Sequence, residues 1–215
     1  KIIMFKQDQK TIELLCRRYP IVTMWTMIFV LVTIRTPFFL ILRYMNDVRK
    51  YGAKAKCLNS THKNAGYKYI RRHYKRLHKA IFSETMTDAE KMVTLFSIPN
   101  IGTRKAGFIL QLCIGKVGCI DCHNEAMFNV DPKTFRLVKS SPYDKQLSVA
   151  QAYVDMCNKI GTSEYLWDNW CEFIGLKWDK RFPNGGLEVS ALHVEAIVSV
   201  LSKSIYNAKT LKDIA

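Results

Sequence analysis

Pro20 to Ile34, P-I-V-T-M-W-T-M-I-F-V-L-V-T-I, runs fifteen residues without a charge, and no other stretch limits the fold so severely. A helix that is apolar all round must be enclosed all round, by other helices or by lipid. Fifteen residues are short for a membrane span, which needs roughly 20. Extending the run across Arg35 would set a guanidinium near the bilayer centre, at about 2.5–3.5 kcal/mol. Pro37 would break the helix there as well, before a second apolar run from Phe38 to Leu42. A secretory signal does not fit either, because the apolar part is too long, begins late and lacks a small-residue cleavage site. Ile21 to Ile34 is therefore expected to be a buried core helix, with a membrane anchor over residues 21–42 as the alternative.

A core helix needs a core around it. With 215 residues, 48% of them hydrophobic, the chain can supply one, as a single large domain or two small ones. Helix signals dominate, and no repeat or low-complexity linker interrupts them. Short helices are expected at Ile12 to Arg18 and at Phe38 to Lys50, the latter with Pro37 in its first turn. A polar loop follows from Gly52 to Gly66. Thr87-Asp88-Ala89-Glu90 is a capping box that starts a helix ending near Ser97. Pro99 to Gly102 forms a tight turn, and another helix runs from about Thr103 to Ile114. The expected class is mostly α, one domain over 1–215: N-terminal helices in 1–60, a basic helix and hairpin in 67–135, C-terminal helices in 136–215. In the last part, Leu166 to Cys171 reads as an aromatic helix face. Val189 to Glu195 opens a terminal helix in which His193 is a candidate pocket residue.

The charge is lopsided. Lys and Arg number 33 against 18 acidic residues, a formal charge of +15 and a pI near 9.6. Such a surplus strains a compact domain by self-repulsion and suits a polyanion, either nucleic acid or an anionic membrane surface. It concentrates between Asp47 and Glu84, where no acid occurs and eleven Lys and Arg do. In Tyr67 to Phe82, one helical face carries Tyr67, Ile70, Tyr74, Leu77 and Ile81. The opposite face carries Lys68, Arg71, Arg72, Lys75, Arg76 and Lys79, open to nucleic acid or simply solvated. The seven cysteines are scattered without a paired framework, so a reducing, cytoplasmic compartment is expected.

The turn residues Ile98-Pro99-Asn100-Ile101-Gly102 and the helix start Thr103-Arg104-Lys105-Ala106-Gly107 resemble the helix-hairpin-helix element of the DNA glycosylase superfamily. The hairpin needs positive φ, expected at Gly102 and tolerated at Asn100. A helix N-terminus beyond it suits a DNA phosphate, so Asn100, Ile101, Gly102 and Thr103 are candidate DNA contacts. The superfamily's second motif is an apolar residue, aspartate, a small residue and histidine. Ile120-Asp121-Cys122-His123 matches it, with Asp121 seventeen positions beyond Arg104, one fewer than the family's usual interval. The likeness covers about 30 residues closely and about 150 loosely, and is greatest to phage-encoded members.

The resemblance implies a protein that binds DNA and takes a flipped base. Asp121 would be the carboxylate that stabilises the sugar cation, and His123 and Asn124 would lie near the pocket. Arg104 stands where bifunctional members carry a nucleophilic lysine, and Lys105 is its neighbour. An arginine stays protonated, so monofunctional chemistry is expected. The family's iron–sulfur cysteines are missing, and no metal is expected beyond a monovalent cation at the hairpin. Cys119-Ile-Asp-Cys122-His123 also spells a c-type haem attachment pattern, but no export signal accompanies it. Zinc lacks a second, well-spaced ligand pair. The alternatives are a phage transferase of the same superfamily that modifies DNA bases, and a non-catalytic DNA-binding protein. Either suits a monomer in the host cytoplasm during infection or packaged in a virion.

Overall fold

The computed structural model describes residues 6–131, 133–177 and 194–200. Nine α-helices among them set the frame: α1 Lys6–Arg18, α2 Pro20–Thr33, α3 Ile41–Tyr51, α4 Thr61–Ile81, α5 Asp88–Phe96, α6 Thr103–Ile114, α7 Cys122–Met127, α8 Tyr143–Ile160 and α9 Ser163–Lys177. A short helical segment spans 194–198, and no strand occurs among the described residues. The mostly helical class holds. None of the described helices is long and apolar enough to cross a membrane.

The uncharged run is α2, and it lies at the centre. Pro20 occupies its first turn, and every residue from Val22 to Val32 is buried. Helices α1, α3, α4 and α6 all pack against it. A buried hydroxyl must be hydrogen-bonded. Thr26 Oγ1 donates to the Val22 carbonyl at 2.9 Å, and Thr23 Oγ1 to the Cys16 carbonyl at 3.1 Å. The helix stops where Arg35 turns to a φ of 52°.

Around this centre the amphipathic helix α4 behaves as its spacing predicts. Tyr67, Ile70, Leu77 and Ile81 are buried, Tyr74 is partly so, and Lys68, Arg71, Arg72, Lys75, Arg76 and Lys79 are exposed. Its start differs from expectation. The presumed loop up to Gly66 holds two short 3-10 turns, and then α4 begins at Thr61. Ser60 caps it, its hydroxyl accepting from the Lys63 amide at 3.1 Å, and Asn64 Nδ2 donates to the Ala53 carbonyl at 2.6 Å. Gly66 is thus inside a helix, where the Pro99 carbonyl of the hairpin leaves no room for a side chain: a Cβ there would stand 2.6 Å from that oxygen. The N-terminal helix α1 also extends further than expected, from Lys6.

The capping box of α5 is complete, with Thr87 Oγ1 accepting from the Glu90 amide at 3.2 Å and Glu90 Oε2 from the Thr87 amide at 2.7 Å. Beyond it the chain reverses on one residue. Asn100, not Gly102, takes the left-handed conformation, at φ 69°, whereas Gly102 is extended at φ −112° and serves as the N-cap of α6. A cap needs β-region backbone, so the positive φ moves to the asparagine. Ile98 and Ile101 are both fully buried and pin the turn to the core from either side.

Gly66→Ala pits two effects against each other. Alanine favours the helix by about 1 kcal/mol. Collision with a backbone oxygen costs about 1–3 kcal/mol and moves the hairpin. Urea unfolding should therefore show a net loss of stability, whereas an exposed α4 site such as Ala65→Gly should lose only its propensity.

Candidate functional site

Beside the end of α2 lies a cavity of about 640 Å³, walled by the 33–37 segment, α6, the start of α7 and α9. That volume is within the about 300–1,000 Å³ of ligand pockets. Close packing brings its walls together. A Cβ on Gly107 of α6 would meet the Gly118 carbonyl and stand 2.7 Å from the Tyr153 ring, so glycine is required there. The buried Tyr153 hydroxyl accepts from the Ile120 amide at 2.8 Å and donates to the Gly118 carbonyl at 2.9 Å. Gln111 accepts from the Cys119 amide at 3.2 Å and donates to the Ser163 carbonyl at 2.9 Å. Backbone on both sides of Cys119 is therefore held just before the aspartate.

Asp121 does two things at once. Its Oδ1 caps α7, accepting from the amides of His123 at 3.1 Å and Asn124 at 3.0 Å. Its Oδ2 accepts from Trp170 Nε1 at 2.9 Å, and the residue lines the cavity. Trp167 and Trp170 stack with centroids 6.2 Å apart, and Phe108 lies 6.3 Å from Trp167, so one wall is aromatic. His123 lines the cavity and packs on Phe173 at 4.9 Å. Asn124 is buried, its Nδ2 donating to the Cys119 carbonyl at 2.7 Å. His193 lies outside the described residues.

Arg104 and Lys105 both reach this cavity although they are adjacent on α6. Arg104 pairs with Glu125 of α7. Lys105 turns the other way, its ammonium 3.5 Å from Thr33 Oγ1 and 5.4 Å above the Phe108 ring. Behind them Lys63 donates to the Val32 carbonyl at 3.3 Å and Thr36 Oγ1 at 3.4 Å. Burial, and then the nearby Lys105 charge, pull the Lys63 pKa below the ordinary lysine value.

The hairpin residues divide. Asn100 is exposed and Gly102 half-buried. Ile101 is core, and Thr103 is buried with its hydroxyl donating to the Phe135 carbonyl at 3.0 Å. Neither of these two side chains is presented to a partner as expected. Arg71, Arg72, Lys75, Arg76 and Lys79 are presented. Arg76 donates to the Tyr69 hydroxyl at 2.6 Å, which donates to Ser97 Oγ at 2.8 Å, so the basic face is tied to the approach to the hairpin.

Two ligand sets can be tested against these contacts. A monovalent cation on the Ile98 carbonyl of the hairpin does not fit. The Ile98 carbonyl already accepts the Ile101 amide at 3.2 Å and the Lys139 ammonium at 2.6 Å. A second cation on the same oxygen, about 4 Å from the ammonium, would meet a repulsion of about 4 kcal/mol. Asp121, Cys122 and His123 bring their ligand atoms within 4.8 Å of one another. Both aspartate oxygens, however, already accept N–H donors. The neighbouring Cys119 thiol is buried and pushed up to about 12 by desolvation, far from the thiolate that zinc or haem attachment would use.

No family model matches the chain, and no curated protein or solved structure does.

Lys139, Tyr153 and the Thr33–Arg35 wall were not foreseen. Trp170 was visible only as part of an aromatic helix face, three residues from Trp167. The thiols offer a check on this geometry. Cys122 is exposed at the cavity, Cys57 is half-buried, and the other five are buried. Iodoacetamide at pH 8 should modify Cys122 first in the folded protein and leave Cys119 unmodified, as read by peptide mass spectrometry.

Proposed function

We propose that the protein binds DNA through the basic face of α4 and the hairpin, and draws one nucleotide into the cavity beside Asp121. The observation that carries this reading is convergence. Arg104 and Lys105 from the helix after the hairpin, Asp121 from the second motif and the aromatic wall of α9 all line the same cavity. A base unstacked from DNA needs π-faces to lie against, and Trp167, Trp170 and Phe108 supply them. The sugar–phosphate backbone needs cations, and Lys105 and Arg35 lie at the same cavity.

The chemistry suited to such a site is hydrolysis of the N-glycosidic bond. As the base leaves, the sugar becomes cationic, and the Asp121 carboxylate stabilises that charge. Water then attacks the sugar. Arg104, paired with Glu125, keeps α6 and α7 in register and cannot act as a nucleophile. The enzyme is therefore monofunctional, and borohydride should trap no protein–DNA adduct. Lys105 is the lysine by which this would fail, because it lines the cavity.

One observation favours a second reading, a DNA-binding protein without catalysis. Both Asp121 oxygens are engaged by three N–H donors, as a purely structural cap would be. Mass spectrometry of DNA incubated with the protein separates the readings. A lost base supports the glycosylase, an altered base a base-modifying transferase, and unchanged DNA the binder.

Two variants refine the test. Asp121→Asn should lower turnover about 10²–10³-fold. It should also cost about 1–3 kcal/mol of stability, because an amide cannot accept from both the α7 amides and the Trp170 indole. Trp170→Phe removes the same indole bond but keeps the carboxylate, so it should retain turnover within about tenfold of wild type while losing similar stability. Equal loss of turnover in both would make Asp121 structural. Separately, reversing Arg72, Lys75 and Arg76 to Glu should weaken binding to all duplex sequences alike and flatten the salt dependence by about 0.9 per lost phosphate contact.

A further inference from the structure

The segment after α7 returns to the hairpin at two points. Thr103 Oγ1 meets the Phe135 carbonyl at 3.0 Å, and the Lys139 ammonium meets the Ile98 carbonyl at 2.6 Å. The second contact is unusual in its chemistry. Lys139 is exposed over much of its surface, yet its ammonium turns to this oxygen, and among the described residues no carboxylate pairs with it. Partial desolvation pulls its pKa below the ordinary lysine value. An ammonium that gives up part of its water is held where a specific bond compensates for the loss. Here that bond is to the oxygen that also closes the turn by accepting from Ile101.

We infer that Lys139 is a tethered cation that closes the hairpin, so that the turn holds its shape and its positive face without a bound alkali ion. The contacts require little else. Ile98 O has two lone pairs, and the Ile101 amide and the lysine use both. A lysine on the chain binds at an effective concentration no free ion matches at ordinary salt. It also leaves net positive charge beside exposed Asn100, paired with no carboxylate among the described residues, where a phosphate would neutralise it. This last consequence rests on the DNA-binding reading; the closure of the hairpin does not.

The test therefore has two arms, both at constant ionic strength in chlorides of potassium, sodium, lithium and tetramethylammonium. In the first, thermal unfolding of the wild-type chain should give the same midpoint in all four salts. Lys139→Met should unfold earlier in tetramethylammonium and recover part of the loss in potassium or sodium. In the second, fluorescence anisotropy with a labelled duplex should give a wild-type affinity indifferent to the cation. Lys139→Met should bind about tenfold more weakly in tetramethylammonium and regain affinity with an alkali ion. A wild-type midpoint or affinity that rises with one alkali ion overturns the inference. So does a Lys139→Met loss that no alkali ion relieves, which would make the lysine a packing residue, or a Lys139→Met protein identical to wild type in every salt. If Lys139→Met does not fold, the wild-type salt series still decides. If the wild type binds no duplex, the DNA reading falls while the unfolding arm still decides the hairpin.

Discussion

The enclosure of α2 is the constraint on which the rest depends. Eleven successive residues, Val22 to Val32, are withdrawn from water, and each large apolar side chain among them is worth about 1.5–3 kcal/mol when fully buried. Four helices must surround it for that to happen, and their positions follow. Helix α4 can give it only its apolar face, which turns six basic side chains outward. Helix α6 must pass close by, which brings the hairpin against Gly66 and the start of α6 to the end of α2. The cavity opens where α2 stops, because beyond Thr33 no helix remains to fill the space.

That dependence explains which features the sequence alone makes legible. The burial of α2 was legible because absence of charge is a property of the run itself. The faces of α4 and the α5 capping box were legible because spacings of three and four residues are local. The start of α4 was not. Ser60, Asn64 and Gly66 have loop composition, but Ser60 is a cap and Gly66 answers to Pro99, thirty-three residues away. Gly102 was the natural choice for positive φ until its duty as an N-cap is considered, which passes the strain to Asn100.

The candidate site was legible in its members and not in its connections. Asp121, Arg104, Lys105, His123 and Asn124 do line or adjoin one cavity. Helical geometry separates neighbouring side chains by about 100°, so a single wall would take only one of Arg104 and Lys105. The cavity is bounded on both sides, however, and Arg104 reaches toward Glu125 while Lys105 reaches toward Thr33. Trp170 meets Asp121 across 49 residues, and Lys139 meets Ile98 across 41. Contacts at such separations leave no periodic trace.

Lys63 and Lys105 share the C-terminal end of α2, where the last carbonyls carry a partial negative charge of roughly half an electron. A helix end, not an acidic side chain, thus faces the two ammonium groups, Lys63 through the Val32 carbonyl and Lys105 through the Thr33 hydroxyl. A carboxylate in that place would repel an approaching phosphate and would lose its charge in acid. A helix end does neither. It cannot be titrated, and so the ammonium groups at this helix end keep the same counter-charge across the whole pH range in which the fold survives.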